Sequence, residues 1–156
     1  MFDFLKKKSP KQVCYQMPSG WDVTFPIDWK FEEDGEQFIY YPQDSDLTIR
    51  MSVLTFVHPE TKALAPIELF QSVFQKGYEE KKNAKMLILD ELLKNAKYYF
   101  VQGYEYTYSE DDQLVYCFYV VCYTEGTELL ITIHSNSRKE CIRGLSHLKT
   151  VRKYED

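Results

Sequence analysis

The sequence predicts an α/β fold of the α+β type: one antiparallel sheet of about six to seven strands sandwiched between helices. Three observations predict it. Residues 97–135 read as three consecutive strands joined by short polar turns. Residues 66–82 and 137–148 carry apolar side chains at helical spacing. The three strands are also too apolar on both faces for open solvent, so each face needs a cover.

The strands are KYYFVQGYEYTY (97–108), LVYCFYVVCYT (114–124) and ELLITIHS (128–135), all dense in β-branched and aromatic residues that suit a pleated surface. Ser109-Glu110-Asp111-Asp112 is a turn cluster, and Glu125-Gly126 suits a two-residue hairpin. Turn length fixes register. A loop over Ser109 to Asp112 sets Tyr104 opposite Cys117 and Gln102 opposite Tyr119. A turn at Glu125-Gly126 sets Cys122 opposite Leu129, Val120 opposite Ile131, Phe118 opposite Ile133 and Cys117 opposite His134. Alternation then sorts Tyr99, Val101, Phe118, Val120, Cys122, Leu129, Ile131 and Ile133 onto an apolar face. Gln102, Tyr104, Tyr106, Cys117, Tyr119, Thr132 and His134 fall on an aromatic face with polar tips.

The rest of the chain supplies the flanks. Residues 1–12 read as a basic N-terminal arm, and residues 13–156 as a single domain. Val13 to Met17 and Trp21 to Phe25 read as strands around a Pro18-Ser19-Gly20 turn. Pro26 to Trp29 interrupts the second, because proline cannot donate to a ladder. Lys30 to Glu33 and Gln37 to Tyr41 form a hairpin around Asp34-Gly35, and Leu47 to Val57 reads as a long strand. Pro66 opens a helix running to Lys82, with Ile67, Phe70, Val73, Phe74, Gly77 and Tyr78 along one face. Met86 to Leu93 suits either strand or helix, with a strand expected at Met86 to Leu89. Ser137-Arg138-Lys139-Glu140 is a capping box, and Cys141, Ile142, Leu145 and Leu148 follow as an apolar stripe.

Net charge is −5, and the first twelve residues carry four lysines against one aspartate, so the remainder is more acidic still. An acidic body disfavours phosphate-backbone binding, so no nucleic acid is expected; the charge fits solubility or a basic protein partner equally. The four cysteines make no C-x-x-C and no zinc spacing, which predicts reduced thiols, a cytoplasmic location and neither metal nor cofactor. No apolar run reaches the length of a membrane span.

Gly20-Trp21-Asp22-Val23-Thr24-Phe25-Pro26-Ile27-Asp28-Trp29 has the form G-[aromatic]-x-[aliphatic]-x-[aromatic]-P-x-x-W. This stretch, with the element order behind it, resembles the opening of Mog1/PsbP-like domains, and bacterial members of unknown role above all. The resemblance implies an antiparallel sheet between helical layers. Known members of that fold bind other proteins, one group a Ran-type GTPase and another the photosynthetic oxygen-evolving complex. It therefore implies a binding module by analogy of fold.

The candidate site is the polar-tipped face. The expected register aligns Tyr104, Cys117 and His134 in one row across three strands, with Gln102, Tyr119 and Thr132 in the next. A thiol beside an imidazole is the minimum for a nucleophilic Cys/His pair. No third group orients His134, no G-x-S-x-G elbow surrounds Ser135, and no glycine-rich phosphate loop exists. The leading expectation is a non-enzymatic protein-binding, adaptor or immunity-type module. The alternative is a small-molecule site, hydrolase-like, at these six residues.

Overall fold

A computed structural model describes residues 11–93, 96 and 99–154. Its elements run β1 (Gln12–Gln16), β2 (Trp21–Pro26), β3 (Lys30–Asp34), β4 (Gln37–Tyr41), β5 (Thr48–Thr55), α1 (Ile67–Glu80), β6 (Lys85–Met86), α2 (Asp90–Leu93), β7 (Phe100–Glu110), β8 (Gln113–Thr124), β9 (Thr127–Ser135), α3 (Arg138–Ser146) and β10 (Arg152–Lys153). Most of the proposed N-terminal arm, and Lys97 and Tyr98 at the start of the expected meander, lie outside the described residues. Lys11 and Gln12 are described, and Gln12 already belongs to β1.

Seven strands form the main sheet in the order β3-β4-β5-β9-β8-β7-β6, all antiparallel. The expected α+β architecture is therefore present, with one refinement. The first two strands do not join the main sheet; they pair with β10 in a second sheet of order β1-β2-β10. One face of the main sheet is covered by this small sheet together with α3, and the other by α1.

The physical reason lies in β2. Trp21, Val23 and Phe25 alternate inward and are fully buried. Phe25 stacks on Tyr40 at 4.5 Å and on Trp29 at 4.9 Å between ring centroids. These residues join Ile49, Met51, Phe118, Val120, Leu129, Ile131 and Ile133 in the larger core. Strands of a second sheet bring bulky side chains to the core while keeping their own ladder satisfied.

A smaller cluster lies on the opposite face, where Phe70 and Phe74 of α1 pack over Tyr104, Val121 and Tyr123. Pro66 is the residue before the first helical turn, as expected of a residue with no N–H to satisfy. Ser137 caps α3, its side chain accepting from the Glu140 N–H. The Ser135 hydroxyl donates to Asp46, whose other oxygen accepts from the Asn136 N–H at 2.9 Å, fixing the corner from β9 into α3.

The β8–β9 register is as expected, down to Cys117 opposite His134. The β7–β8 register is not. The turn is two residues, Asp111 and Asp112, with φ of 50° and 62°, so Glu110 pairs with Gln113. Aspartate tolerates the left-handed region that such a turn requires, and the strands extend two residues further than a four-residue loop permits. The pairing slips by two, which preserves every face assignment but changes every neighbour. The expected strand at Met86 to Leu89 is shorter too, with β6 covering only Lys85 and Met86.

Candidate functional site

The structure keeps the six residues that the sequence singled out on one face but re-pairs Tyr104 and Gln102. All share the α1 side of the sheet by alternation, but Tyr104 does not stand in the row of Cys117 and His134. That row runs Tyr106, Cys117, His134, Thr48 from β7 to β5. Tyr104 instead joins Tyr119, Thr132 and Arg50, and Gln102 stands opposite Val121. Tyr104 is buried under α1, its ring meeting Phe74 at 5.3 Å and Tyr78 at 5.7 Å. Gln102 accepts from the Tyr123 hydroxyl at 3.0 Å.

Electrostatics oppose a nucleophile at Cys117. The residue is 4% exposed, and burial raises its thiol above the ordinary range. The Tyr106 hydroxyl and the Lys81 ammonium act the other way and are outweighed. His134 is lowered, by burial first and by Arg50 second, against Asp46 and Glu110. A neutral imidazole beside a protonated thiol is not an activated pair. His134 looks instead into a recess of about 210 Å³ with Asp46, Glu110 and Asp111. Among the described residues, no group of three or more His, Cys, Asp or Glu side chains could hold a metal ion.

A larger cleft lies on the opposite face. Its floor is the outward turn of β7 and β8 past the core, through Glu105, Thr107, Tyr116 and Phe118. One wall is α3, through Arg138, Ile142 and Leu145; the other is the chain from Asn83 to Ile88. The groove encloses about 750 Å³ and continues into a recess of about 180 Å³ beside Leu89, Leu92 and Lys149. Volumes of this order, apolar with a few convergent polar groups, are typical of binding sites.

The polar groups of the groove are held in place. Arg138 forks onto Glu105, Nε to Oε1 at 2.9 Å and Nη2 to Oε2 at 2.8 Å. That hydrogen bonding keeps the Glu105 carboxyl below the usual carboxylate range despite partial burial. Asn83 donates to the Thr107 carbonyl and hydroxyl at 3.3 and 2.9 Å. At the far end Lys149 meets Glu91 at 2.9 Å. Sequence periodicity counted Ile142 as core, yet it is 46% exposed and lines the groove. The sequence signal for this site was the mostly apolar run Met86 to Leu93, which suits either strand or helix.

No protein-family model and no curated protein matches this chain. Solved structures do. A crystal structure from Bacteroides thetaiotaomicron superposes with a TM-score of 0.62 at 14% identity, over 94% of this chain and 49% of that one. The chain thus spans about half the length of that protein. The solution structure of cyanobacterial PsbP (CyanoP) from Synechocystis aligns over 96% of each chain at 10% identity, with a TM-score of 0.46, too loose a superposition to bear on function. The likeness to the Bacteroides thetaiotaomicron structure reaches the fold alone, an antiparallel sheet with helices of the α+β type.

Proposed function

We propose that this chain is a non-enzymatic protein-binding module that receives its partner in the groove between α3 and the Asn83–Ile88 segment. The observation that carries the reading is the groove itself, an apolar cleft whose polar groups are already fixed by the Arg138–Glu105 fork. Preorganised polar groups lower the ordering cost of association. The buried, protonated thiol at Cys117 supports a role without chemistry. The four free cysteines, three of them buried, fit a reducing compartment and hence the cytoplasm. Net charge favours a basic partner, but Lys85 and Arg138 stand against the single carboxylate Glu105 in the groove. A segment that enters there therefore carries apolar side chains with an acidic neighbour, while a basic surface meets the acidic remainder.

Affinity capture with the full chain from its native lysate tests this. A partner retained by the wild type and by Val73→Glu, an exposed change on α1, is expected to be lost with Ile142→Glu. Equal capture by both variants would remove the groove from the account. Thiol-labelling kinetics at Cys117 test the absence of chemistry; a fast phase with an inflection near neutral pH would restore the Cys/His reading.

A further inference from the structure

Among the described residues the main sheet ends at β6, and no strand pairs with its outer edge. Lys85 and Met86 pair with Glu105 and Tyr104, and the Leu87 N–H donates to the Gly103 carbonyl at 3.0 Å. In an antiparallel ladder the groups of alternate residues point to opposite sides of the strand. Leu87 thus turns its N–H toward β7, and Met86 turns its N–H and C=O away from it. Among the described residues no strand lies beyond β6. Met86 is 47% exposed and Ile88 is 85% exposed. An apolar strand edge with unmet backbone groups is a template for another strand unless something covers it.

The flanking charges say which strand. Lys81, Lys82 and Lys85 precede the apolar centre Met86-Leu87-Ile88-Leu89, and Asp90 and Glu91 follow it. Laid antiparallel on itself about Leu87, this segment sets Lys85 of one copy opposite Leu89 of the other and next to Asp90, the first residue of its α2. Met86 then stands opposite Ile88 of the second copy, and the two residues can exchange N–H···O bonds, about four across the two-fold axis. Cross-strand Met–Ile contacts add apolar burial. A two-fold interface uses one patch on both copies, which a self-complementary segment satisfies.

We propose that the β6 edge pairs with the β6 edge of a second copy of this chain, joining two main sheets into one across a two-fold axis. The interface lies in the plane of the sheet, along the strand edge whose residues also form one wall of the groove.

Sedimentation equilibrium of the full chain tests this. The wild type is expected to reach twice the 18.6 kDa chain mass in the micromolar range. Met86→Pro removes an N–H that β7 does not use, and Ile88→Lys places a charge on the edge; each is expected to abolish the dimer while the far-ultraviolet spectrum stays unchanged. Residue-resolved amide exchange reads the wild type without any substitution. The Met86 amide should be protected at high concentration and lose that protection on dilution, while the Leu87 amide stays protected throughout. A wild type that stays monomeric, with fast exchange at Met86, overturns the proposal and leaves the edge to an extended segment of another protein. A dimer that survives both substitutions overturns it as well.

Discussion

α3 and α1 lie on opposite faces of the same sheet, and each contains one glycine. A Cβ at Gly144 in α3 would stand 2.9 Å from Ile133 Cγ2 and 3.1 Å from Leu47 Cδ1. A Cβ at Gly77 in α1 would meet only the Tyr104 hydroxyl, at an ordinary 3.5 Å. The first helix is pressed onto the larger core, which the small sheet and α3 seal together. The second is a cover held by its own few aromatic contacts with β7 and β8. One face builds the fold, and the other, among the described residues, is closed by one helix.

This contrast can be broken or sharpened by substitution. The largest loss is expected from Phe25→Ala, which removes a fully buried ring between Tyr40 and Trp29. Chemical denaturation should show about 3–5 kcal/mol less stability, in one cooperative transition. Phe74→Ala under α1 should cost about 3 kcal/mol, and amide exchange should find α1 opening before the sheet does. Equal protection of α1 and β9 in that variant would abolish the distinction between the faces.

A third test uses Glu128, which is 6% exposed on the α1 side, with its carboxyl pushed up by burial from an ordinary 4.5 to about 7. Below pH 4.5 the carboxyl is protonated whether the chain is folded or not, and burial costs nothing extra. As pH rises toward 7 the unfolded chain releases the proton first, so native stability falls, and above that it stays reduced. Glu128→Gln should therefore gain up to about 3 kcal/mol over the wild type at alkaline pH, the gain vanishing in acid. A difference independent of pH would mean that the native carboxyl titrates normally.

The two helix glycines give the smallest effects, and they should differ in sign. Gly144→Ala is expected to cost about 1–3 kcal/mol through overpacking against Ile133 and Leu47. Gly77→Ala is expected to stabilise by up to about 1 kcal/mol, the ordinary helix gain of alanine over glycine where space allows. Thermal unfolding of the two variants side by side is enough to read the sign.

Much of this was legible in the residues. The strands of β8 and β9, the Glu125-Gly126 turn, the Pro66 and Ser137 helix starts and the division of side chains between two faces all follow from local pattern. The Asp111-Asp112 turn did not, because without a glycine it gives a weak signal for a two-residue hairpin. That one turn moved Tyr104 away from Cys117 and dissolved the expected row. The groove was illegible for another reason. It lies between α3 and the β6 edge, and no periodicity says how far apart two elements will stand.

By itself, then, the sequence determined the elements and which side chains share a face, since both are set by interactions over a few residues. Tertiary structure alone decided that Trp21 to Pro26 would seal the core from a second sheet, that Cys117 would be buried with its proton, and that Met86 would face outward at an edge. Those outcomes depend on burial and on partners distant in the chain, and neither is written in any short stretch of it.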